Sequence, residues 1–127
     1  MELESGTCQN QLTDMSNVFE RTNFDGDIFK WGVSRVTVMS EMLLEDNLFN
    51  VDISRWDVSR GTDMSHMFVC TAFQCIISKC DVSRGTDLSH MLDRTNFNDD
   101  ISKWNVSNVE DMSDTFRDTV ARARNLV

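Results

Sequence analysis

Apolar residues return along this chain in fixed columns about 24 residues apart, the kind of spacing that marks tandem structural repeats. Ile28, Ile53, Ile77 and Ile101 form one column, and Trp31, Trp56, Cys80 and Trp104 a second. Val33, Val58, Val82 and Val106 form a third, and Met39, Met64, Leu88 and Met112 a fourth. The clearest copy is 49–68, FNVDISRWDVSRGTDMSHMF. A unit this short cannot bury its own apolar face and needs a neighbour, so the pattern predicts a stacked solenoid.

Each unit contains two segments with different periods. In the arms, 24–33, 49–58, 73–82 and 97–106, apolar and polar positions alternate: Trp56 and Val58 are interleaved with Arg55, Asp57 and Ser59. Period two predicts a short strand with its charges outward. In the blocks, 12–19, 36–43, 61–68, 85–92 and 109–116, the spacing of Met64, Met67 and Phe68 behind Thr62 and Asp63 predicts a short helical or 3-10 segment with a polar start. The expected fold is therefore an α/β repeat solenoid with one short strand and one helical segment per coil, ~4.8 Å apart. Residues 1–11 read as a lead-in, 12–116 as about four and a half repeats and 117–127 as a tail. Phe116, Val120 and Ala123 are at helical spacing, so the tail is expected to cap the last coil as a helix.

The combined W-D-V-S and T-D-M-S marks, repeated over 12–116, resemble the BspA-like leucine-rich repeats of microbial surface proteins. The resemblance implies a leucine-rich-repeat-like, right-handed solenoid acting as a non-enzymatic adhesion or protein-interaction module, with a protein as partner and a cell-surface or secreted setting for a longer parent. It implies no catalytic residues and no cofactor. The third arm, FQCIISKCDV, departs from the pattern: Ile76 replaces the Asp and Cys80 the Trp, while Gly61 and Gly85 stand where a Val belongs. Loss of a buried Trp typically costs ~3 to 5 kcal/mol, so the middle of the array is the expected weak point.

Charge and cysteine content narrow the function classes. Twelve Lys and Arg against 21 Asp and Glu give a net charge of −9, which disfavours nucleic acid. The first ten residues, MELESGTCQN, hold no apolar run, so neither a signal peptide nor membrane insertion is expected from them. His66, Cys70, Cys75 and Cys80 lack the tight two-residue hook of zinc sites. His66 and His90 occupy one repeat position, which copying explains better than catalysis does.

Two sets of charged columns remain. Asp63, Asp87 and Asp111 share one position; each is expected to cap its block, and calcium held by stacked carboxylates in a structural segment is the alternative. Lys30, Arg55, Lys79 and Lys103 form a basic column on the arm face beside Asp57 and Asp81, the expected contact surface for a protein partner. Open coil ends also make end-to-end self-association an expectation.

Overall fold

The computed structural model describes residues 12–22, 31–45, 53–70 and 77–119. Its architecture follows from where the backbone amides go. In the first block the amides of Met15, Asn17, Phe19 and Arg21 donate across to the carbonyls of Val38, Ser40, Met42 and Leu44 in the second, at 2.8–3.1 Å. The second block repeats this toward Asp63, Ser65, Met67 and Val69, the third toward Asp87, Ser89, Met91 and Asp93, and the fourth toward Asp111, Ser113, Thr115 and Arg117. The intervening amides turn back within their own block, as Val18 does to Met15 and Glu20 to Asn17. Alternate amides thus link neighbouring units and the others close turns, so both sets find acceptors. Parallel bridges at Asp14–Val38, Val38–Asp63, Asp63–Asp87 and Asp87–Asp111 mark the same register.

The expected strand and helical segment per unit are not what the described residues contain. The blocks are chains of turns joined by single-residue bridges, and the arms bend at Trp56, Cys80 and Trp104, whose amides return to Ile53, Ile77 and Ile101 at 2.9–3.0 Å. The physical reason lies in the left-handed residues. Each block together with the two residues after it has two, four apart: Asn17 and Arg21, Glu41 and Glu45, His66 and Cys70, His90 and Arg94, Asp114 and Asp118, with φ between 54° and 60°. Such residues break helical hydrogen bonding but still return side chains to one face every three or four positions. All ten are unbranched at Cβ, the side chains for which this conformation is least costly after Gly.

The inward face matches the sequence pattern. Met15, Met39 and Leu88 are fully buried, as are Leu43 and Leu92, with Met64 and Phe68 each 1% exposed. Trp56, Val58, Val82 and Trp104 bring the arms against them in one core. Burial alternates through Trp56, Asp57 and Val58, so the period-two pattern holds without a strand.

The described part of the third arm, 77–82, is closed by its neighbours. Cys80 is half-buried, and the apolar cavity beside it, lined by Ile77, Val82, Met91 and Trp104 among others, measures about 20 Å³. The neighbouring coil closes the rest: the Trp104 indole is 7% exposed, and its Nε1 donates to the Ile77 carbonyl at 3.2 Å. Ile77 and Ser78 also donate their amides to Asp99 Oδ2, at 3.1 and 3.0 Å. The proposed capping helix lies outside the described residues except for half-buried Phe116 and the turn through 119.

Candidate functional site

The residues expected on the arm face are outward-facing where they are described. Arg55, Lys79 and Lys103 are exposed, as are Asp57 and Asp81; Lys30 lies outside the described residues. The two carboxylates are engaged locally. Asp57 Oδ1 accepts the Ser59 hydroxyl and amide at 2.5 and 3.0 Å, and Asp81 Oδ1 accepts the Ser83 amide at 2.9 Å. These serine hydrogen bonds hold both carboxyls below their usual pKa range. The acidic column is therefore built into turns and stays ionised at neutral pH.

Asp63, Asp87 and Asp111 are brought into register by the bridges, one per coil. Each Oδ1 accepts the amide two residues on, from Ser65, Ser89 and Ser113 at 2.8–3.0 Å, and the first two also take the serine hydroxyl. This is the capping role. Among the described residues no group of three or more His, Cys, Asp or Glu is gathered closely enough to hold a metal ion.

A second surface lies just beyond the arms. A groove of about 540 Å³ is lined by Thr37, Thr62 and Thr86, by Arg60 and Arg84, and by Asn108 and Glu110. Its floor is a threonine ladder in which the Thr62 and Thr86 hydroxyls donate to the carbonyls of Thr37 and Thr62 at 3.1 Å. Asn108 Nδ2 is held by the Ser83 carbonyl at 2.7 Å. Arg60 and Arg84 are exposed and one coil apart; Asp57 and Asp81 lie near enough to feel their charge. Among the described residues, ion pairs within 4 Å form at Arg21, Arg94 and Arg117 and at His90, and neither groove arginine is in one. Hydrophobic periodicity does not single out this pair. The signal was the V-S-R triplet at 33–35, 58–60 and 82–84, which places a cation at one position of successive coils.

The outer edge of the blocks carries a third polar group. His66 and His90 stack with ring centroids 4.5 Å apart and planes 17° apart. His90 Nδ1 lies 3.5 Å from Asp93 Oδ2, and its Nε2 lies 3.7 Å from Asp114 Oδ2. Asp93 is 1% exposed and is clamped by Arg117, Nη2 to Oδ2 at 2.5 Å and Nε to Oδ1 at 3.1 Å. Burial pushes the Asp93 carboxyl up, but the hydrogen bonds and charge of Arg117, together with the His90 hydrogen bond and the Arg94 charge, outweigh it, so its pKa is lowered overall. The same contact raises Arg117. This is a buried charge satisfied by a forked partner.

A family model described as "Mycoplasma protein of unknown function, DUF285" matches residues 7–92 and again 62–126. The chain belongs to this family. The two overlapping matches, offset along the sequence, agree with its repeated units. No curated protein and no solved structure matches it. Among the described residues no helix is long and apolar enough to cross a membrane.

Proposed function

We propose that this DUF285 chain is a non-enzymatic interaction module, a leucine-rich-repeat-like solenoid of the BspA type that binds a protein partner or mediates adhesion. The observation that carries the reading is the pair Arg60 and Arg84, two guanidinium groups outside any ion pair among the described residues, over a threonine floor in a chain of net charge −9. Unpaired cations on an anionic molecule steer encounter and fix register more than they add affinity. Arg55, Lys79 and Lys103 are further exposed cations, one per arm. A larger surface protein is the setting this reading fits.

The test is biolayer interferometry of the folded chain against a panel of surface and extracellular proteins. The double reversal Arg60→Glu/Arg84→Glu and the triple reversal Arg55→Glu/Lys79→Glu/Lys103→Glu serve as probes. Saturable binding that slows in association for either set, most at low salt, supports the module. Binding unaffected by both sets would place contact elsewhere.

A second reading, a calcium-stabilised structural segment, has in its favour only the shared backbone register of Asp63, Asp87 and Asp111, since no three ligating groups among the described residues gather closely enough to hold an ion. Carboxylates stacked at ~4.8 Å repel one another, and a cation would relieve that. A melting temperature that rises with calcium and falls with chelator selects this reading.

A further inference from the structure

The inter-block ladder leaves complementary edges at the two ends of the described array. At the last block the amides of Met112, Asp114, Phe116 and Asp118 have no acceptor among the described residues, although the equivalent amides of Leu88, His90, Leu92 and Arg94 all donate onward. At the first block the carbonyls of Asp14, Ser16, Val18 and Glu20 have no donor among the described residues, although those of Val38, Ser40, Met42 and Leu44 all accept. Four donors therefore face one way along the stack, and four acceptors in the same register face the other. We propose that the last block of one copy pairs with the first block of a second copy, repeating the interior junction between molecules.

Side chains select this occupant over an arbitrary strand. Extending the columns by one step sets Asp118 against the second copy's Arg21, Arg117 against its Glu20 and Asp114 against its Asn17. Interior junctions pair these positions in part: Arg21 Nε meets Glu45 at 2.8 Å, Arg117 meets Asp93, and Asn17 Nδ2 meets Glu41 at 3.1 Å, whereas Arg94 meets Asp93 and not Asp118. The apolar column is open at the last block alone: Met112 and Phe116 are half-buried, whereas their counterparts Leu88 and Leu92 are fully buried beneath the next block. Met15 and Phe19 of the first block are already buried within their own chain, so the junction rests on the backbone edges and the charged columns. Opposing terms are Asp111 meeting Asp14 and the net charge of −9 on each copy, so association strengthens when salt screens the long-range repulsion.

The contact is head-to-tail, so it does not close and copies add in a line. Sedimentation velocity of the 127-residue chain, over a wide concentration range at physiological salt, reads this directly. Asp118→Arg sets like charges against Arg21 and is compatible with the local backbone, because Arg21 and Arg94 hold the same left-handed position. Arg21→Glu is the converse reversal. The expected result is a concentration-dependent series of species, weakened about tenfold by either single reversal and restored by the two together, while circular dichroism melts show every variant folded. A chain that stays monomeric at all concentrations would overturn the proposal. So would association unchanged by Asp118→Arg, or a double reversal no better than the singles.

Discussion

Asp99 supplies the Ser78 amide with the carboxylate that the third arm lacks. In the fourth arm Asp100 Oδ1 accepts the Ser102 amide two residues on, at 2.9 Å. The third arm has Ile76 at the corresponding position, and Asp99 of the next unit accepts the Ser78 amide instead, at 3.0 Å, with the Ile77 amide at 3.1 Å. Asp99→Ala should leave two amides without this acceptor and cost about 1 to 3 kcal/mol in urea denaturation. Adding Ile76→Asp to Asp99→Ala should recover part of the loss. A change within about 0.5 kcal/mol for the single variant, the range of an ordinary surface substitution, would show that water serves those amides as well.

Gly85 and Gly61 share a repeat position with Val36 and Val109, and no left-handed φ requires glycine at either. A Cβ on Gly85 would meet the Leu88 and Met64 side chains at 3.4 and 3.5 Å, ordinary contact. Its 3.1 Å approach to the Val82 carbonyl belongs to a turn that Val36 and Val109 also make. On Gly61 a Cβ would lie 2.7 Å from the Met39 methyl, which has to move. Gly85→Ala should stabilise by about 0.5 to 1 kcal/mol through the unfolded chain, and Gly61→Ala should gain less. Equal gains in thermal melts would mean Met39 yields freely.

The cavity beside Cys80 suits a flexible side chain and not an indole. Trp104 already closes the site from the next coil, leaving about 20 Å³. Cys80→Met is expected to raise the melting temperature slightly. Cys80→Trp should lower it, since overpacking costs about 1 to 3 kcal/mol. A Trp variant more stable than the parent would show that the neighbours reopen.

Acid should destabilise the chain through its depressed carboxylates. Asp14, Asp57, Asp81, Asp93, Asp100 and Asp111 all have folded pKa values below the ordinary one. A group of this kind contributes stability that is fully present above the unfolded pKa, about 4, and is lost as pH falls through the lower folded value. Arg117→Met removes the largest of the contacts that lower Asp93 and leaves only His90 and Arg94 against burial, so the acid limb of the stability profile should move to higher pH. Denaturation midpoints from pH 2.5 to 7 check the shift; an unmoved limb would mean that the Asp93 clamp contributes nothing.

The columns, the inward faces and the arm charges were all legible in the sequence, because each is a statement about side-chain direction. Met64, Met67 and Phe68 face inward at spacings of three and four whether the backbone is helical or a run of turns with a left-handed residue at His66 and Cys70. Periodicity cannot separate those two, and hydrogen-bond partners 23 or 24 residues away carry no local signal. The Asp99 substitution for Ile76 was hidden for the same reason: the acceptor sits in the next copy, 21 residues from the amide it serves. Arg60 and Arg84 were visible as a repeated V-S-R, but the groove they line exists only once the Thr37, Thr62 and Thr86 positions are stacked.

Alternate-amide stacking is the claim on which the rest depends, and amide hydrogen exchange read residue by residue by NMR tests it most directly. Glu41, His66 and His90 donate their amides to Ser65, Ser89 and Ser113 at 2.9–3.0 Å in the next block, while the amide of Asp114 at the same repeat position has no acceptor among the described residues. In dilute protein the first three should be protected by orders of magnitude over Asp114. Exchange of Glu41, His66 and His90 as fast as that of Asp114 would contradict the ladder and the stacked fold built on it.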